Sequence, residues 1–108
     1  MIVKLKEKNP NYLDLTPEQP YVVIGIEADY YRIINNYGRP YLYPPDIFEI
    51  DDPHEPGDWI IEIGADGERY AYPPSLNIRG FFEDYFDGDE KAVSQFWRIL
   101  NQHLAISI

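Results

Sequence analysis

Carboxylates dominate the side chains of this sequence that could do chemistry. Nine lie between Pro40 and Glu68 (Asp46, Glu49, Asp51, Asp52, Glu55, Asp58, Glu62, Asp66, Glu68), and no Lys or Arg lies among them. Glu83, Asp84, Asp87, Asp89 and Glu90 follow. Paired carboxylates can act as acid and base in glycoside cleavage, but 108 residues is a short chain for the cleft such chemistry needs. His54 stands in a proline-rich stretch, and His103 lies near the end of the chain. Ser75, Ser94 and Ser107 lack a nucleophile-elbow setting, and the glycines are scattered at turns and form no phosphate loop. The chain has no cysteine, which excludes thiol nucleophiles, disulfides and Cys-based zinc sites. Asp51, Asp52, His54, Glu55 and Asp58 could offer metal ligands, as could Asp84, Asp87, Asp89 and Glu90. Neither run has the alternating spacing and closing Glu of a calcium loop. The expectation is a protein with no catalytic residue, no cofactor and no metal.

Binding is the remaining chemistry. Residues 51–70 hold seven carboxylates against the single Arg69, within a formal net charge of −10. A solvated surface usually mixes the two signs, so this stretch suggests a basic protein partner. Direct nucleic-acid binding would need a basic stripe, and an anionic membrane would be repelled. Carboxylates can also stand in for phosphates, which makes mimicry of nucleic acid conceivable. Aromatics run through the same region, and tyrosine suits an amphipathic contact. The candidate contact residues are Asp51, Asp52, Glu55, Asp58, Glu83, Asp84, Tyr85, Asp87 and Asp89. Tyr41, Tyr43, Tyr70 and Tyr72 join them, each pair at i, i+2 spacing and so on one face of a strand. Their plainer role is packing with the hydroxyl in solvent. Trp59 and Trp97 read as core.

The elements that must hold these groups are mostly strands. YYRIINNYGRPYLYPPDI (30–47) aligns without gaps to WIIEIGADGERYAYPPSL (59–76), an offset of 29. Each copy reads as a hairpin of β-branched and aromatic strands around a glycine turn. Asp66-Gly67 suits a tight turn and Asn36-Tyr37-Gly38 a slightly longer one. The proline pairs 44–45 and 73–74 then stop the ladders. Tyr21–Glu27 suggests a central strand, Ile2–Leu5 an edge strand, Asp46–Ile50 a short strand, and 51–58 a surface loop. Val93, Phe96, Trp97, Leu100 and Leu104 keep helical spacing over about 89–104. Asp87 or Asp89 can cap that helix, and Phe81–Phe86 suggests a turn or 3₁₀ segment before it. The fold class expected is α+β and mostly β. It is a small antiparallel sheet or SH3-like partly open barrel built from two hairpins, with one C-terminal amphipathic helix. A single domain is expected over 1–108, β-rich to 78, with a connecting segment at 79–88. No stretch has the length of a membrane span, and the N-terminus lacks a signal peptide's apolar core, so a soluble cytoplasmic protein is expected.

Four stretches, YVVIGIEADYYRI (21–33), GRPYLYPPDIFEIDD (38–52), DWIIEIGADGERYAYPP (58–74) and GFFEDYFDG (80–88), together resemble small acidic SH3-like or β-barrel-like immunity proteins of bacterial toxin–immunity systems. The resemblance covers about residues 21–90 and carries no residue-level binding motif. It implies a protein that binds and neutralises a cognate basic toxin, often a nuclease. The alternative is an SH3-like module that reads a peptide or protein within a larger complex.

Overall fold

The computed structural model describes residues 1–107, with side chains to 105, so the side chain of Ser107 lies outside the described residues. The chain divides into two compact units, Met1–Pro73 and Pro74–Ile108.

The first unit is an open antiparallel sheet of seven strands. These are β1 (Ile2–Leu5), β2 (Pro20–Glu27), β3 (Tyr30–Ile34), β4 (Pro40–Tyr43), β5 (Phe48–Asp52), β6 (Ile60–Ile63) and β7 (Arg69–Tyr72). The strand order is β4-β3-β2-β1-β5, with β7 also paired to β2 and β6 paired to β7. Strand β2 is central, as its sequence suggests. Its first half pairs with β1 through Ile2–Val22, Val3–Tyr21 and Lys4–Pro20. Its second half pairs with β3 from Val23 to Glu27, and with β7 through Ile26–Ala71. Alternation places Val3, Leu5, Tyr21 and Val23 in the core, together with Ile26, Ile33, Tyr43, Phe48 and Trp59.

Two boundaries differ from expectation. Strand β1 is an inner strand, because β5 pairs along its other side from Leu5–Phe48 to Ile2–Asp52. The expected strand at Asp46–Ile50 begins at Phe48 instead. Pro44 and Pro45 cannot donate to a ladder, and the chain first turns through one 3₁₀ turn at Pro45–Ile47.

The two echoing segments form the same hairpin twice. Tyr31–Tyr43, Arg32–Leu42, Ile33–Tyr41 and Ile34–Pro40 pair in the first. Ile60–Tyr72, Ile61–Ala71, Glu62–Tyr70 and Ile63–Arg69 pair in the second, in the same register at the offset of 29. Both loops have five residues. One is closed by Asn35 N–H to Arg39 O at 3.0 Å and the other by Gly64 N–H to Glu68 O at 2.8 Å. Asp66-Gly67 is therefore not a two-residue turn. Gly67 takes the left-handed position, φ 81°, that Gly38 takes at 74°. The side-chain support differs. Asn35 Oδ1 accepts the N–H groups of Tyr37 and Arg39, whereas Glu68 Oε2 accepts that of Asp66.

The Ile26–Ala71 pairing that joins the second hairpin to β2 is extended by hydrogen bonds at Asp29 and by side-chain packing. Asp29 lies in a two-residue turn with Ala28, both at positive φ. Its N–H donates to Arg69 O and its Oδ1 accepts from Arg69 N–H, each at 2.9 Å. The Tyr72 ring lies against Gly25, where an added Cβ would sit 2.1 Å from it. Gly25→Ala is therefore expected to cost about 1–3 kcal/mol by overpacking. Denaturant unfolding in the Tyr72→Ala background checks this, because the penalty there should largely vanish.

The second unit contains α1 (Phe81–Phe86) and α2 (Glu90–Ser107). Segment 81–86 is an α-helix and not the expected turn, with Glu83 and Asp84 in the first turn, where carboxylates suit the helix dipole. Asp89 Oδ1 accepts from the N–H groups of Lys91 and Ala92, capping α2. Phe96 is fully buried, with ring centroids of Tyr85, Trp97 and Phe82 at 5.2, 5.3 and 5.9 Å. The buried stripe of α2 is Ala92, Phe96 and Ile99, with Val93 and Leu100 at its margins. Trp97 and Leu104 are 37 % and 64 % exposed, so Trp97 is not the core residue expected. Ala92, too small to register as an apolar signal, shifts the stripe around the helix.

Candidate partner-binding surface

Two carboxylates of the acidic run are met by cations from other strands. Asp51 and Asp52 do not belong to a loop; they end β5. Pairing with β1 sets Asp51 3.8 Å from Lys4 Nζ. Lys6 Nζ donates to the Asp46 carbonyl at 3.1 Å. Glu55 is gripped by Arg69 in a two-pronged ion pair of 2.8 and 2.6 Å. With Met1 N donating to His54 O, that pair fastens the segment between β5 and β6 to the sheet. Glu55 is therefore committed internally and drops out of the free contact charges.

Three exposed carboxylates stand four residues apart along β6 and its flanks: Asp58, Glu62 and Asp66. None has an ion-pair partner among the described residues. Ile60, Ile61 and Ile63 stand between them, 40 %, 54 % and 65 % exposed. The sequence treats IIEI as an ordinary alternating strand, and nothing local marks it as an uncovered edge. Glu62 and Asp66 are accordingly additions to the candidate set.

The tyrosines divide. Tyr41 is 39 % exposed and Tyr70 is half-buried, so both remain available for contact. Tyr43 and Tyr72 are 2 % and 6 % exposed and offer no surface. Their hydroxyls turn inward to carboxylates instead of outward to water. Tyr43 OH donates to Asp14 Oδ2 at 2.5 Å and accepts from Asn35 Nδ2 at 3.1 Å. Tyr72 OH donates to Glu27 Oε1 at 2.9 Å and accepts from Arg32 Nε at 3.0 Å. Burial, reinforced by these carboxylates, pushes both phenols well above the ordinary tyrosine value. The unfolded chain then loses phenolic protons before the folded one does. Their contribution to stability is whole below about pH 10 and declines as pH rises above it. Unfolding by denaturant from pH 8 to 11.5 is expected to show that decline, and Tyr43→Phe should flatten part of it.

The second acidic group lies in the other unit. Glu83, Asp84, Asp87 and Asp89 are exposed, Asp89 being the cap of α2. Tyr85 is half-buried, its ring 5.1 Å from Phe86 and 5.2 Å from Phe96, so it belongs to the aromatic cluster more than to the surface.

Among the described residues, no group of three or more acidic or imidazole side chains is placed to hold a metal ion. No described helix is long and apolar enough to cross a membrane. Comparison with known proteins finds no match, whether to a family model, a curated protein or a solved structure.

Proposed function

We propose that this protein is an immunity-type inhibitor that binds a basic toxin domain and neutralises it through an acidic, aromatic surface. The observation that carries the reading is the row Asp58, Glu62 and Asp66, which has no ion-pair partner among the described residues, whereas Asp51 and Glu55 are paired to Lys4 and Arg69. A toxin that acts on nucleic acid must hold phosphates and is commonly basic, so negative potential speeds its capture. Complementary charge raises association rates roughly 10–10³-fold, with the gain shrinking as salt rises. Ile60, on the same face as Glu62, supplies apolar contact that charge alone cannot, and Ile61 and Ile63 are exposed on the other face of β6. The rival reading, a module that recognises peptides with a tyrosine face, loses two of its four tyrosines to the core.

The triple variant Asp58→Lys, Glu62→Lys, Asp66→Lys is expected to slow association with a basic partner at least tenfold at low salt. Its circular dichroism should match the parent. Unchanged association kinetics in stopped flow would overturn this placement of the surface.

A further inference from the structure

We propose that the free edge of β6 takes up an extended segment of the basic partner, which adds to the sheet as a further strand. The inference rests on the reading above and specifies how the contact is made. The ladder to β7 closes through Gly64 N–H and Glu68 O. Antiparallel bonding recurs at every second residue, so residues 60, 62 and 64 bond toward β7, and Ile61 and Ile63 direct their N–H and C=O groups away from it. Arg69, opposite Ile63, shows the same alternation, since its N–H and C=O both go to Asp29 on its far side. Among the described residues β6 pairs with β7 alone.

The other outer strands carry protection against such addition. Strand β4 starts at Pro40 and runs into Pro44 and Pro45, and β5 carries a bulge, where Asp51 is the extra residue between the Ile50–Val3 and Asp52–Ile2 pairs. Strand β6 has no proline and no bulge, and it exposes three isoleucines. A second copy of this chain is a poor occupant, because it would bring Asp58, Glu62 and Asp66 against their like. A strand with Lys or Arg opposite Glu62 and apolar residues opposite Ile61 and Ile63 fits both the charge and the apolar pattern.

The test uses the full chain and a capped heptapeptide of alternating valine and lysine, with a glutamate-for-lysine twin. Amide exchange is followed by NMR. The lysine peptide is expected to slow exchange at Ile61 and Ile63 at least tenfold, and the glutamate peptide to bind about two- to fivefold more weakly. Glu62→Lys should reverse that preference. Ile61→Pro removes one outward donor while sparing the ladder to β7, and should abolish the protection. If Ile61→Pro unfolds, Ile61→Lys, which keeps the backbone groups and adds a repelling charge, takes its place. No slowing at Ile61 and Ile63, equal protection by both peptides, or protection that rises with protein concentration alone would overturn the proposal. A basic partner released by the triple charge reversal but retained by Ile61→Pro would overturn the added strand and leave the acidic-surface reading standing.

Discussion

Arg32→Met is expected to destabilise the protein by about 3 kcal/mol, near the lower end of the range for breaking a buried ion pair. The Arg32 side chain is 5 % exposed and makes an ion pair with Glu27 at 3.0 Å. It also donates to Tyr72 OH at 3.0 Å and to the Pro40 carbonyl at 2.9 Å. Removing the guanidinium strips partners from three oxygens at once. Glu27, 38 % exposed, can recover some hydration, which holds the loss below the top of the range. The effect reaches the candidate surface, because Tyr72 belongs to β7, the strand that carries β6. Arg32→Lys should recover little, since one ammonium cannot reproduce the three directions of the fork. Urea unfolding measures both variants, and a loss under about 1 kcal/mol for Arg32→Met would show that the network is not what ties this hairpin to β2.

Phe96→Ala is expected to cost the second unit about 3–5 kcal/mol, the usual range for deleting a buried phenyl ring. Phe96 is fully buried, and Phe81, Phe82, Tyr85 and Trp97 all pack rings against it. Four aromatic neighbours cannot all close a cavity of that size, since each is tied to a helix backbone. Amide exchange in α2 reads the effect locally, and protection in 90–105 should fall sharply while β2 and β3 change less. Phe96→Leu, which refills part of the volume, should fall between the two. Exchange in α2 that is indifferent to Phe96→Ala would contradict the packing described.

Local chemistry made the hairpins legible. The offset of 29 reproduces register and loop size, and strand limits to within one residue, because glycine at the left-handed position and a following proline pair leave the backbone few alternatives. Strand β2 was legible from its β-branched run, and the cap of α2 was narrowed to Asp87 or Asp89, of which Asp89 makes the bonds. Long-range partners were not legible. Lys4 and Arg69 reach the acidic run only through β1–β5 pairing and the fold of β7. Tyr41 and Tyr43 share a strand face, yet one is a surface residue and the other core. That outcome depends on Asp14 and Asn35, 29 and 8 residues away from Tyr43. The exposed edge of β6 was hidden for a related reason: an isoleucine-rich strand looks the same in sequence whether or not another strand covers it. Trp97 was misplaced because the stripe of α2 turns on Ala92, whose small side chain carries almost no apolar signal.

The row along β6 is proposed to meet a basic protein. That contact is tested most directly by passing lysate of the source organism over immobilised chain, at low and at high salt, beside the Asp58→Lys, Glu62→Lys, Asp66→Lys variant. One stoichiometric basic partner is expected to be retained at low salt, released progressively as salt rises, and not held by the variant; the purified partner's toxic activity should be suppressed by the parent chain. A partner held equally by parent and variant, at either salt concentration, would contradict the proposal.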